Sequence, residues 1–489
     1  MKKYILAIDQ GTTSTRAIIF NKNGEVVSMA NEDTTQIFKH KGWVEQDANL
    51  IWLKTLTVIA TSLLKKDIHP SQIESIGITN QRETTVIWDK NTGLPVYNAI
   101  VWQSRQTESI CDLWKSKNYQ SVVKSKTGLP IDPYFSASKI KFILDQVTDH
   151  QNLLFGTIDT WILWKLTGEK VHKTDVTNAS RTMLYNIHEL KWDLELLELF
   201  GIPKHILPTV TESSDNFGYT APYNFFNNSI PINAMIGDQQ AALFGQCCFE
   251  KGNVKNTYGT GGFVLMNTDD KLIESKHGLI TTIAWKLDGK VTYALEGSIF
   301  VSGSLIKWLK DNLNIISDVN KTSEIAYSVN NSNGVYVVPS FVGLAAPYWD
   351  DSLQASILGL TLEVDKAHIV RASLEAMCYQ SKDVIDAMIV DSNIEITNLR
   401  VDGGASKNKF LLQFQSDILQ ISVENLKSKE TTALGAAYLA GLKSGFFKKE
   451  DLKPQVSEHY NPILSKGEVE QLYLKWQEAV STTRTFRSS

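Results

Sequence analysis

Twice in this chain an apolar run, a turn of small residues and a second apolar run follow one another: YILAI, DQGTTST and RAIIF from Tyr4, then NVKNTY, GTGG and FVLMNT from Asn253. A unit that recurs at this distance predicts two similar halves, 1–245 and 246–489, each opening on a strand hairpin with an anion-friendly turn. Tyr4 to Ile8 reads as a buried strand and Arg16 to Phe20 as its partner. Asn21 to Gly24 supplies the next turn before EVVSMA, so the opening is a meander. Further on, SIGITN (Ser75 to Asn80) and TTVIWD (Thr84 to Asp89) read as strands and Trp161 to Thr167 as helix. In Val370 to Met388 the apolar residues Val370, Leu374, Met377, Cys378, Val384, Ile385 and Met388 recur at helical spacing. Interleaved strands and helices make the class α/β.

With 489 residues, 43% of them hydrophobic and 21% charged, the chain can bury a large core without covalent staples. A formal net charge of -4 gives no broad basic face, which argues against nucleic acid as a partner. The longest stretch free of Asp, Glu, Lys and Arg, Ile325 to Trp349, is broken by Asn330, Asn331, Asn333, Gly334, Pro339 and Pro347, so it is no integral membrane segment. Asp9 follows the first apolar residues too soon for a signal-peptide core, and the expected location is cytoplasmic. Cys111, Cys247, Cys248 and Cys378 show no metal-ligand spacing and are expected to be reduced thiols.

The turn Asp9-Gln-Gly-Thr-Thr-Ser-Thr-Arg16 offers backbone N–H groups and the hydroxyls of Thr12, Thr13, Ser14 and Thr15 to an anion, and Arg16 adds positive charge. Asp9 ends a buried strand, where a water on a phosphate-bound magnesium ion would be held. This is no Walker loop, since the turn joins strand to strand. Tyr258-Gly-Thr-Gly-Gly262 repeats the device with Thr260. Leu399 to Asn408 contains a strand, two glycines and a helix start, which suits an adenosine group or is an ordinary turn. Asp238, just before a helical run, is either a first-turn acid or the general base of phosphoryl transfer to an alcohol. Arg82 and Glu83 form either a surface salt bridge or a clamp on neighbouring hydroxyls. Trp102 and Tyr134 are core residues or the wall of that clamp.

Taken together, DQGTTSTR, GWVEQD, NQRET, VWQSRQT, DPYFSASK, TDVTNASRTML, GDQQAALFGQ, YGTGG, EGSIFVSG, GLAAPYWD, DGGASKN and TTALGAA occur in the order in which they stand in the FGGY carbohydrate kinases, and the chain closely resembles that family over nearly its whole length. The resemblance implies two ribonuclease-H-like domains of the actin and hexokinase type with an active site in the cleft between them. It implies ATP-dependent phosphorylation of glycerol, with the first domain binding glycerol and phosphate and the second the nucleotide. Glycerol would be held by Arg82, Glu83, Tyr134, Asp238 and Gln239, with Trp102 and Phe263 against its carbons and Asp238 as base. Phosphate contacts fall to Thr12, Thr13, Ser14, Arg16 and Thr260, water-mediated Mg2+ binding to Asp9, and nucleotide contacts to Gly303, Lys307, Gly404 and Asn408. A homodimer or homotetramer is also implied.

Several positions depart from the family pattern. Lys307 replaces a frequent Gln, Ala345 a frequent Gly, and DSLQASILGLTLE lacks arginines common there. Pro222 to Asn228 holds neither the Gly-Arg loop with which some members bind fructose 1,6-bisphosphate nor the His that others phosphorylate, so neither regulation is expected. Two other functions fit parts of the pattern: a kinase for a pentulose or another polyol, and a non-catalytic actin-like nucleotide switch.

Overall fold

The structure, a computed structural model, describes residues 3–486. Strand β1 (Tyr4–Gln10) is buried beyond Tyr4 because it has strands on both edges and helices on both faces. It pairs antiparallel with β2 (Ser14–Phe20), which pairs antiparallel with β3 (Val26–Asp33), giving the expected meander. On its other edge β4 (Ile73–Asn80) and then β5 (Ile232–Gly237) run parallel to it, for a sheet order β3-β2-β1-β4-β5.

The second half is built the same way. Strands β6 (Val254–Tyr258), β7 (Gly262–Asp269), β8 (Ile280–Leu287), β9 (Lys290–Ile299), β10 (Asn398–Gly403), β11 (Ser422–Leu426) and β12 (Val456–Tyr460) lie in the order β8-β9-β7-β6-β10-β11-β12. Its inner five, β9-β7-β6-β10-β11, repeat the first sheet: three antiparallel strands, then two parallel ones. The fold is therefore two-domain α/β of the ribonuclease-H-like kind. A smaller sheet joins Glu45–Gln46, which precedes β4, to Ala99–Ile100, Thr85–Asp89 and Leu153–Thr157, which follow it.

Six helices support the site: α1 (Ala48–Leu64), α2 (Asp238–Gly245), α3 (Gly303–Asp311), α4 (Lys366–Ser392), α5 (Lys409–Leu419) and α6 (Thr431–Ser444). Alternation along β1 sends Leu6 and Ile8 toward Ala48, Ile51 and Val58 of α1, and Ile5 and Ala7 toward Ala433, Ala436 and Ala440 of α6. Helix α6 belongs by sequence to the second half, yet it packs on the sheet of the first. The cluster around it also takes in Phe244, Leu265 and Ala284, so one core spans both halves and a cut at 245 passes through it.

Helix α4 extends the expected span at both ends, and its start is fixed by Asp365, whose carboxylate accepts from the Ala367 and His368 amides. All four cysteines are buried and unpaired. Among the described residues, no helix is long and apolar enough to cross a membrane.

Candidate active site

The three parallel strands of the first half end together: Gln10, Asn80 and Gly237 stand in one row across β1, β4 and β5. The residues around that row are Asp9, the turn Gln81 to Glu83, and Asp238 at the first position of α2. Carboxyl ends of parallel strands are where an α/β sheet can receive a ligand, because the chain leaves the sheet there in loops and helix starts.

In the first hairpin turn the carbonyls are already used. Gln46 donates to Thr12 O at 2.7 Å, the Thr34 amide to Thr13 O at 2.7 Å and the Gly11 amide to Ser14 O at 2.9 Å. Thr13 is exposed, and Thr12 and Ser14 are half-buried. Thr15 is the exception: it lies in β2, opposite Gln10, and is fully buried, so its hydroxyl is withdrawn from the turn that the sequence assigned it to. Arg16 faces Asp9 across the β1–β2 pair, donating to its carboxylate at 2.6 Å, and donates to Glu430 of the second half at 2.7 Å. Burial pushes the Asp9 carboxyl above its ordinary range, opposed by Arg16.

Arg82 and Glu83 are not a surface salt bridge. Both are buried, their closest approach is 3.9 Å, and each has a stronger partner elsewhere. Arg82 makes a two-pronged pair with Glu296, Nη1 to Oε2 at 2.6 Å and Nη2 to Oε1 at 2.9 Å, while its Nε lies 3.2 Å from Asp238 Oδ1. Glu83 accepts from Arg181 Nε at 2.6 Å and sits in the left-handed region at φ 59°, which turns its side chain into the cluster. Tyr134 Oη lies 3.5 Å from Arg82 Nη2, and its ring meets Trp102 edge-on at 5.5 Å. Trp102 meets Phe263 of the second half at 6.4 Å and donates its indole N–H to Thr12 Oγ1 at 2.8 Å. The aromatic wall and the phosphate-type turn are thus directly bonded.

Asp238 is a first-turn acid that also lies beside Arg82. Its carboxylate accepts from the Gln239 amide at 2.7 Å and remains partly exposed. Burial lifts its pKa above the usual aspartate value, offset by the Arg82 and Lys255 charges and increased by the nearby Asp9. The Gln239 side chain is held by Lys255 Nζ at 2.5 Å.

On the other side, the GTGG turn is latched to the start of α3: the Gly303 amide donates to Gly259 O at 3.0 Å, and the Ser302 and Ser304 amides to Thr260 O at 3.0 and 3.1 Å. Thr260 itself is exposed, and Lys307 is exposed one turn along α3. Tyr258 pairs with Gly403, which sets the open, exposed Gly404 beside the turn. Asn408 caps α5, accepting from the Leu411 amide at 2.9 Å and donating to Thr322 Oγ1 at 3.0 Å. The structure therefore gathers Thr260, Gly303 and Gly404 at one place, with Asn408 following the same glycine corner.

Four buried residues were not singled out from the sequence. Arg181 and Glu296 complete the ion cluster; burial alone would raise the Glu296 pKa, but Arg181 and Arg82 outweigh it and hold it near about 2. Lys255 lies on β6, and burial lowers its pKa to about 8. Lys139 donates to the Tyr134 and Phe135 carbonyls at 2.7 and 3.0 Å and so fixes the segment that carries Tyr134; burial lowers it to about 7. The available signal was a charged residue inside an otherwise apolar stretch, as in VTYALEGSIF.

The N-terminal domain of the FGGY family of carbohydrate kinases matches residues 4–245, and the C-terminal domain matches residues 254–444. The chain is 55% identical to a glycerol kinase of Staphylococcus epidermidis over 496 aligned residues, covering 100% of this chain and 99% of the relative. Among solved structures it is similar to Plasmodium falciparum glycerol kinase with ADP, with a TM-score of 0.92, 37% identity and 98% of each chain covered. A ligand-bound xylulose kinase from Lactobacillus acidophilus shares the fold, with a TM-score of 0.89, 22% identity and 98% of each chain covered. The chain belongs to the FGGY family of carbohydrate kinases.

Proposed function

We propose that this chain transfers the γ-phosphoryl group of ATP to glycerol, giving sn-glycerol 3-phosphate and ADP. The observation that carries the reading is that Arg82 joins a carboxylate to an aromatic group: its Nε lies 3.2 Å from the partly exposed Asp238 and its Nη2 3.5 Å from the hydroxyl of Tyr134, whose ring meets Trp102, which in turn meets Phe263. Similarity to two glycerol kinases along nearly the whole chain supports the same acceptor.

In this reading Arg82, Glu83, Tyr134 and Gln239 hold glycerol hydroxyls, and Trp102 and Phe263 cover the carbons. Asp238 takes the proton of the attacking hydroxyl. The oxygen of that glycerol hydroxyl bonds to the γ-phosphorus as the bond to the bridging oxygen breaks, and ADP leaves with that electron pair. Thr12, Thr13, Ser14, Arg16 and Thr260 face the phosphates, and Gly303, Lys307, Gly404 and Asn408 the rest of the nucleotide. The aromatic wall excludes water, which favours the alcohol over hydrolysis.

Asp9 suits a magnesium ion that arrives with the nucleotide. Among the described residues, no group of three or more His, Cys, Asp and Glu side chains forms a ready-made cage, whereas Asp9 and Asp238 repel each other across the same edge of the sheet. Asp9 would help to hold such an ion, which would supply charge neutralisation at the phosphates.

The test is ADP release from magnesium-ATP by the purified protein, with glycerol compared against dihydroxyacetone, erythritol and a panel of pentuloses, and the product identified. Selective formation of glycerol 3-phosphate is expected. Faster turnover of a pentulose, or nucleotide binding with no transfer to any acceptor, would overturn the assignment.

A further inference from the structure

Glu296 stands out once the cluster is traced. It lies on β9 in the second half, between Leu295 and Gly297, and is completely buried. Its partners, Arg82 and Arg181, come from the first half, 214 and 115 residues away. One carboxylate engages both: Oε2 accepts from Arg82 Nη1 at 2.6 Å, and Oε1 accepts from Arg82 Nη2 at 2.9 Å and from Arg181 Nη2 at 3.1 Å.

This arrangement leaves each arginine one defined direction. A two-pronged pair fixes the plane of a guanidinium as well as its position. With its terminal nitrogens held by Glu296, Arg82 turns Nε toward Asp238 at 3.2 Å. Arg181, anchored at Nη2, turns Nε to Glu83 at 2.6 Å. The chain of contacts runs Asp238, Arg82, Glu296, Arg181, Glu83, so the carboxylate at its centre sets the orientation of both acceptor-clamp residues without itself reaching the cleft.

We propose that Glu296 is a positioning residue for the acceptor site, supplied by the nucleotide-side half, which orients Arg82 directly and Glu83 through Arg181. The inference rests on the reading of Arg82 and Glu83 as the glycerol clamp. It also gives a reason for the two halves to share this contact: a shift of β9 relative to β4 would loosen the clamp, so acceptor affinity depends on the mutual placement of the halves.

The alternative is a cluster that serves stability alone, and steady-state kinetics separate the two. Glu296→Gln keeps the shape and removes the charge; the cluster of Arg82, Arg181, Glu83, Asp238 and residue 296 then passes from one net negative charge to neutral, and with the nearby Lys255 counted from neutral to one net positive, so stability is measured beside the kinetics. The expected result is a glycerol KM raised on the order of 10- to 100-fold, the cost of losing charge-assisted hydrogen bonds, with the KM for ATP within about 2-fold of wild type. Glu296→Asp, which keeps the charge but shortens the reach, is expected to recover part of the loss. A thermal melt of each variant establishes that it is folded. If Glu296→Gln melts earlier but keeps the wild-type glycerol KM, or raises both KM values equally, the positioning role is wrong. Arg82→Lys serves as the control on the underlying reading. If it leaves the glycerol KM unchanged, the clamp assignment itself fails; if it raises that KM while Glu296→Gln does not, only the role of Glu296 fails.

Discussion

Lys255 is an ammonium placed where an ammonium is costly. It is fully buried on β6, bonded to the Gln239 side chain and, at 2.9 Å, to Thr257, and it sees the charges of Asp402 and Asp238. Burial wins over those attractions and brings its pKa from 10.5 down to about 8. Activity should therefore decline as pH rises through about 8, because the cation that holds Gln239 and offsets Asp238 is lost. Measured as kcat/KM for glycerol, which reports the free enzyme, this alkaline limb should be present in wild type and missing in Lys255→Met. Stability runs the other way. Between about 8 and 10.5 the unfolded chain binds more protons at this residue than the folded one, so its contribution to stability rises with pH across that window. A wild-type profile that stays flat to pH 9.5 would count against the assignment.

Legibility from sequence also differs residue by residue. Asp9 and the turn hydroxyls could be read because a buried strand and its turn are adjacent in the chain. Arg82 and Glu83 stayed ambiguous because the facts that decide their burial, Glu296 and Arg181, stand 214 and 98 residues away. Thr15 was misplaced by one step of strand alternation: the turn ends at Ser14, and the next side chain points inward.

At the scale of elements, the hairpins and α4 follow from local pattern, since each carries its own turn or cap. The destination of α6 does not. Its sequence, TTALGAAYLAGLKS, shows a small, nearly uniform apolar surface, which says that it is buried but not against what. The structure answers with backbone contact. A Cβ at Gly435 would collide with the Ala241 carbonyl of α2, and one at Gly245 with the Thr431 carbonyl of α6, so neither helix leaves room for a larger residue at the crossing. The contact bears on chemistry because α2 begins with Asp238. Gly435→Ala is expected to destabilise the protein by about 1–3 kcal/mol through overpacking, and to reduce kcat as α2 is pushed aside. Chemical denaturation and steady-state assays would check both, and an unchanged unfolding midpoint would show that the crossing is looser than described.

For the molecule as a whole, the repeated strand–turn–strand unit made the two halves visible, and the matching inner strand orders bear that out. Their interdependence was not visible, because it arises from packing between distant segments. Ile5, Ile18, Phe20 and Ile236 of the first half lie in one cluster with Ala433, Leu439 and Leu265 of the second. Each buried aliphatic or aromatic side chain contributes roughly 1.5–3 kcal/mol. A fragment of residues 1–245 would expose that face, and it is expected to lack a cooperative thermal transition; a sharp transition in the isolated fragment would refute the shared core. The site has the same character. Asp238, Arg82, Glu83, Trp102 and Tyr134 come from one half, and Phe263, Lys255, Thr260 and Glu296 from the other, so the proposed site draws on both halves.

In the proposed reaction Asp238 serves chemistry and not nucleotide binding. Asp238→Asn tests it most directly, because Arg82 keeps its Glu296 pair. Turnover of glycerol should fall about 10²–10⁴-fold, while ATP affinity by titration calorimetry stays within about 2-fold, roughly 0.4 kcal/mol. Wild-type turnover in that variant, or a loss of ATP binding matching the loss of activity, would contradict the account.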